Sequence, residues 1–177
     1  MIITRTPLRI SIGGGGTDLP SYYERFGDYV IAGAIDKYIY IGINRTFTDD
    51  YFLKYSALER VRCPEEVKHP IIREVLRMHT VEPAVEIVSM ADIPAGTGLG
   101  SSGAFTVGLI RAIYALKREY ASAATVAQEA CRIEIEELKE PVGKQDQYIA
   151  SFGGLRCLEF APNGSVEVSQ FAISTAT

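Results

Sequence analysis

Apolar and polar residues alternate along Leu8-Arg9-Ile10-Ser11-Ile12, the period-two pattern of a half-buried strand. Similar patterns predict strands over Tyr29–Ile35, Tyr38–Asn44, Tyr51–Tyr55, Glu59–Cys63, Ala84–Val88 and Leu155–Phe160, with Asp36-Lys37 as a hairpin link between the first two. A period near 3.6 marks the helices. Pro20 to Phe26 reads as a short one ended by Gly27, and His69 to His79 as a longer one with Ile72, Val75, Leu76 and His79 on one face. Ser101–Lys117 carries Phe105, Leu109, Ile113 and Leu116 at helical spacing. A further helix runs from Ser122, a good N-cap, to Lys139, where Pro141 stops it. The tail from Ser169 to Thr177 is polar and unpatterned.

Two glycine-rich stretches interrupt this pattern. In Asp92 to Ala104, three glycines (Gly96, Gly98, Gly100) lie between a strand and a long helix, followed at once by Ser101 and Ser102. Glycine lets the backbone turn tightly and approach a ligand without Cβ interference. A helix start presents free N–H groups and the positive end of its dipole, which favour anions. The chemical reading is a phosphate cradle, with serine hydroxyls placed to reach a phosphate or its metal ion; the plain one is a turn joining strand to helix. No lysine follows the last glycine, so this is not a Walker-type P-loop, and the spacing does not fit the dinucleotide fingerprint. The other stretch, Gly13-Gly14-Gly15-Gly16-Thr17-Asp18, is expensive in folding entropy unless a ligand lies against its backbone, with Asp18 an acceptor for sugar hydroxyls.

Several polar residues carry two readings. Glu134 falls inside the apolar stripe Ala127, Ala130, Cys131 and Leu138, where a carboxylate is costly unless satisfied. It is either a salt-bridge partner or a metal ligand. Asp146, in Gly143-Lys144-Gln145-Asp146-Gln147-Tyr148, either caps a short helix Gln147–Phe152 or is a positioned reactive group. Tyr22 and Tyr23 read as core, and His69 and His79, with no ligand-like neighbours, as structural histidines. Glu136, Glu137 and Glu140 read as solvated charge.

The 177 residues allow one domain with a real core, and 47% hydrophobic with 23% charged residues is an ordinary globular balance. A net charge of −4 without a basic run argues against nucleic acid as the main partner. Cys63, Cys131 and Cys157 make neither a metal pattern nor a disulfide framework, and no membrane-length apolar run or signal peptide is present. A cytoplasmic protein with no membrane partner is expected.

Pro94-Ala95-Gly96-Thr97-Gly98-Leu99-Gly100-Ser101-Ser102 resembles the second motif of the GHMP kinases, departing at Gly103, which precedes Ala104. Pro7-Leu8-Arg9 with Gly14–Asp18 resembles their first motif, and Glu134 and Asp146 stand at the spacing of the family's magnesium-binding glutamate and catalytic aspartate. Within the superfamily, the stretch Pro7–Pro20 and Gly143–Tyr148 look most like D-glycero-D-manno-heptose 7-phosphate kinases. The resemblance implies an α/β (α+β) two-layer fold with a mixed sheet, of the ribosomal protein S5 domain 2-like type. It implies a kinase using ATP and Mg²⁺ on the anomeric hydroxyl of that heptose phosphate to give the 1,7-bisphosphate. Pro94, Gly96, Thr97, Gly98, Leu99, Gly100, Ser101 and Ser102 would hold the ATP phosphates, and Ser102 with Glu134 the Mg²⁺. Asp146 would take or orient the proton of the attacking hydroxyl. Arg9 would keep Asp146 ionised with a lowered pKa and stabilise the transferred group. Gly13, Gly14, Gly15, Gly16, Thr17 and Asp18 would line the sugar site, with Lys144 or Arg111 as candidates for the substrate phosphate. Family members carry a C-terminal domain with a third glycine-rich motif. Residues 1–177 read as the N-terminal domain alone, for which nucleotide binding without turnover is expected. The alternatives are another GHMP small-molecule kinase, such as an L-fucokinase relative, and a nucleotide-binding domain without turnover.

Overall fold

The computed structural model describes residues 1–171. In chain order the elements are β1 (Ile2–Gly13), α1 (Pro20–Phe26), β2 (Asp28–Arg45), β3 (Tyr51–Lys54), β4 (Leu58–Val61), α2 (Pro70–Met78), β5 (Val85–Ala91), α3 (Ser101–Lys117), α4 (Ala123–Cys131), α5 (Gln145–Phe152), β6 (Leu155–Phe160) and β7 (Val166–Gln170). A seven-stranded sheet runs β4-β3-β5-β2-β6-β7, with β1 paired to β2. The β3–β5 pair is parallel and the others are antiparallel, so the sheet is mixed, as expected.

The expected hairpin at Asp36-Lys37 is absent. β2 is one strand of 18 residues. β1 pairs with it on both sides of that dipeptide, from Ile2 opposite Ile43 to Gly13 opposite Ile31, so the chain cannot reverse there. A register shift between Pro7 and Arg9 absorbs the irregularity, and Asp36 and Lys37 are left exposed. The tail also differs from expectation. Val166 to Gln170 forms an edge strand on β6, including Ser169, while residues 172–177 lie outside the described residues.

The main core lies between one face of the sheet and α2 and α3, with Ile41, Ile43, Leu53, Ile72, Leu76, Ile87, Leu109, Ile110 and Ile113 buried. A smaller cluster joins Tyr23, Ala127, Cys131, Tyr148 and Ile149 to Val30, Leu158 and Phe160 of β2 and β6. Tyr23 is core as expected, whereas Tyr22 is exposed. α3 spans the predicted residues. The predicted Ser122–Lys139 helix is continuous but changes its winding: α4 gives way at Arg132–Glu137 to a π-helical turn. Ser122 caps it, its hydroxyl accepting from the Thr125 N–H at 3.0 Å. Among the described residues no helix is long and apolar enough to cross a membrane.

Candidate active site

The glycine-rich stretch Asp92–Gly100 links β5 to α3, and Gly96, Gly98 and Gly100 all have positive φ, at 83°, 74° and 75°. Alternate left-handed positions of this kind are open to glycine and strained for other residues. Residues 94–98 are exposed, and Gly100 is the N-cap of α3, so the N–H groups of the first helical turn are free to meet an anion.

Arg9 ties three elements together. Its backbone N–H donates to Leu99 O at 3.0 Å, and its Nη1 to Gly98 O at 2.9 Å. Its Nε and Nη2 both meet Asp146 Oδ1, at 2.7 and 2.6 Å. The fork thus closes on one carboxylate oxygen, and Oδ2 faces Gly100, where an added Cβ would lie 3.2 Å from it. Asp146 stands in the first turn of α5 and makes no cap hydrogen bond, so its carboxylate serves Arg9 rather than the helix end. Burial pushes this carboxyl above its ordinary value; Arg9 pulls it back down, and burial prevails. The expected lowering by Arg9 is therefore overturned, because removing the carboxylate from water costs more than one guanidinium returns.

Gly103, where the chain departs from the family motif, has a steric cause. A Cβ there would stand 2.8 Å from Asp146 Cβ and 3.1 Å from the Gln147 nitrogen. The missing methyl lets the start of α5 press against the first turn of α3. The Asp92–Gly100 loop and Asp146 are neighbours for that reason.

Glu134 is only 1% exposed and sits on the π-helical turn. Its carboxylate accepts hydrogen bonds from Ser102 Oγ and Gln147 Nε2 and has no salt-bridge partner among the described residues. The salt-bridge reading therefore fails. Burial raises its pKa, with the two hydrogen bonds opposing. Gln147 Oε1 is also buried and, among the described residues, without a partner. Sequence reasoning gave Gln147 no role; the signal was its position next to Asp146, on the first turn of the same helix.

The Gly13–Asp18 loop meets the start of α5 at Gln145, the neighbour of Asp146. Gly14, Gly15 and Gly16 have φ of 73°, 85° and 92°, and at Gly14 a Cβ would strike the Tyr29 carbonyl of β2. Both side chains of the loop turn inward. Thr17 Oγ1 donates to Asp28 Oδ1 at 2.7 Å, and Asp18 accepts from Gly16 N, Gln145 N and Gln145 Nε2. Lys144 Nζ donates to Gly164 O at 2.7 Å and lies over the Tyr23 ring. Arg111 donates to Ser151 O, two to three turns along α3 from the Asp92–Gly100 loop. Both cations proposed for a substrate phosphate are thus engaged elsewhere.

Next to Ser101 and Ser102 opens a cavity of about 420 Å³ with mostly apolar walls, among them Ile39, Tyr55, His69, Ile93 and Phe105. His69 stacks on Phe105 (ring centroids 4.9 Å apart) and meets Tyr55 edge-on at 4.8 Å. Its Nδ1 also caps α2 by accepting from Ile72 N. His79 is buried near Glu129 and Tyr114, far along α3. Both histidines are structural, and His69 also lines the cavity.

With this geometry in view, the family model described as the GHMP kinases N terminal domain matches residues 66–154. The chain belongs to the GHMP kinases. It is 31% identical to the D-glycero-alpha-D-manno-heptose 7-phosphate kinase of Campylobacter jejuni, over 97% of this chain and 54% of that protein. A D-glycero-D-manno-heptose 1-phosphate kinase from Bacteroides thetaiotaomicron superposes with a TM-score of 0.89 at 25% identity, over 98% of this chain and 61% of that one. The phosphomevalonate kinase of Streptococcus pneumoniae, in complex with phosphomevalonate and AMPPNP, shares the fold at 14% identity and a TM-score of 0.78, over 98% and 60% of the two chains. This GHMP kinase chain thus has the fold of the family's N-terminal domain and spans little more than half the length of these relatives.

Proposed function

We propose that the protein carrying this chain is an ATP-dependent sugar kinase that phosphorylates a heptose phosphate, with D-glycero-D-manno-heptose 7-phosphate the leading substrate and its anomeric hydroxyl the acceptor. The observation that carries this reading is the contact of a left-handed glycine loop with a half-buried aspartate held by arginine, at the start of a helix. A phosphoryl donor and a hydroxyl acceptor meet at such a junction. The 31% identity to a heptose 7-phosphate kinase favours the sugar class.

The chain's residues divide the work as follows. Backbone N–H groups of Gly96 to Ser101 receive the nucleotide phosphates, and the aromatic-walled cavity beside Ser101 takes the flat base. Asp146, with Oδ1 occupied by Arg9, offers Oδ2 to the acceptor hydroxyl. Its raised pKa makes it a better proton acceptor than an ordinary aspartate. Arg9, bonded to Gly98 O, stands where negative charge develops during transfer. Ser102 and Glu134 supply hard oxygen donors, and a buried carboxylate without a cationic partner among the described residues suits Mg²⁺, which when bound would neutralise phosphate charge. The Gly13–Thr17 backbone lines the sugar site.

The test is ATP-dependent phosphorylation of a sugar panel by the whole protein, including heptose 7-phosphate, heptose 1-phosphate, L-fucose and galactose. Preference for heptose 7-phosphate is expected. Turnover of L-fucose instead would move the enzyme to the runner-up class, and no turnover with any sugar would leave a nucleotide-binding domain.

A further inference from the structure

Asp18 is 2% exposed, too deeply buried to present its carboxylate to a ligand. Its Oδ1 accepts from the Gly16 N–H at 3.1 Å and from Gln145 Nε2 at 3.3 Å, and its Oδ2 from the Gln145 N–H at 3.0 Å. Gln145 receives a further bond, from Ser11 Oγ to its Oε1 at 2.5 Å. The surroundings are shaped to this network. A Cβ at Gly143 would overlap the Asp18 carboxylate, and one at Gly15 would press on the Gln145 amide at 3.1 Å. Gln145 is the first residue of α5, immediately before Asp146, and itself only 8% exposed.

We propose that Asp18 and Gln145 are positioning residues: they clamp the Gly13–Asp18 loop and β1 to the first turn of α5, and so set the aim of Asp146. The inference rests on the kinase reading for its catalytic consequence and reassigns Asp18 from a sugar ligand to an internal brace. With Thr17 bonded to Asp28, both side chains of the loop are committed inward, and the loop meets its substrate through main-chain groups alone. Ordering of that loop by the sugar is then transmitted directly to Asp146. A carboxylate is the natural centre for such a clamp, because three donors converge on it and bonds to a charged acceptor are stronger than those to a neutral one.

The decisive comparison uses Asp18→Asn and the exchange pair Asp18→Asn/Gln145→Glu in the whole protein. The single change sets an amide against the donors Gly16 N–H and Gln145 Nε2. The second restores a donor–acceptor pair and returns the negative charge to the network. For the single variant, kcat should fall roughly 10- to 100-fold, the range expected when a reacting group shifts by about 1 Å, with KM for the sugar within about twofold. The exchange pair should recover most of the lost rate. Amide hydrogen exchange should quicken together at residues 13–18 and 144–148 in Asp18→Asn, with α3 unchanged; Ser11→Ala, a milder lesion, should show the same pattern more weakly. A rise in sugar KM with kcat and exchange at 144–148 unaffected would overturn the proposal and return Asp18 to the sugar. Coupled exchange in a protein without turnover would uphold the clamp and defeat the kinase reading instead; turnover without coupled exchange would do the reverse.

Discussion

Two carboxylates beside the start of α3, half-buried Asp146 and fully buried Glu134, have environments that assign them different work. Asp146 has one oxygen held by Arg9 and one facing Gly100 of the glycine loop; Glu134 has both oxygens occupied, by a hydroxyl and an amide. Asp146→Asn should lower kcat by about 10²- to 10⁴-fold while ATP binding, followed by calorimetry, stays unchanged. In the unmodified enzyme, the acid limb of kcat/KM should lie above the ~3.9 of a free aspartate, because burial raises this carboxyl. A limb at or below that value would show that Arg9 dominates after all. For Glu134 the sign of the stability effect follows from the same cause. Its folded-state pKa is raised, so the protonated form contributes stability at low pH that is lost as pH rises through the folded value. Glu134→Gln should therefore leave the melting temperature at neutral pH equal or higher, while Mg²⁺-dependent nucleotide binding weakens. A lower melting temperature together with unaltered magnesium dependence would make Glu134 a structural group only.

At the level of elements, the site is a junction where three local irregularities meet. The register shift in β1 precedes Arg9, the π-helical turn carries Glu134, and the glycine at position 103 admits α5. π-helical turns commonly mark functional sites, since an extra residue in the winding re-aims the side chains that follow. Gly103→Ala separates packing from propensity. In an ordinary helix this change gains about 1 kcal/mol, but here the methyl meets Asp146 Cβ and the backbone of Gln147. We expect a lower melting temperature and a fall in kcat larger than any change in KM for ATP; a stabilised variant with full activity would refute the packing account. These irregularities explain what sequence pattern could and could not reveal. Regular elements such as α1 and α3 were legible because apolar spacing and Gly27 or the serine pair marked them. The turn-like polarity of Asp36-Lys37 predicts a hairpin within β2, whereas long-range pairing with β1 decides its course. The glutamines flanking Asp146 mark a positioned polar site, but their own roles are not legible, because an amide in a short motif carries no periodic signal and their partners lie up to 134 residues away.

Across the described residues, β1, the two glycine loops, the π-helical turn and the start of α5 converge on one end of α3, and both hydrophobic clusters pack against these elements. The mixed sheet and its helices could be foreseen from the motifs, and so could the closeness of Arg9, Ser102, Glu134 and Asp146. The direction of the Asp146 shift and the inward turn of Asp18 could not, since each depends on how much water the folded chain removes. The central claim is that this convergence receives the phosphates of a magnesium nucleotide. Its most direct measurement is a calorimetric titration of ATP into the protein, with and without Mg²⁺, compared with Ser102→Ala. The account predicts saturable binding that strengthens with Mg²⁺ and loses most of that gain in Ser102→Ala. Absence of binding in a folded protein, or binding indifferent to both Mg²⁺ and Ser102, would contradict it.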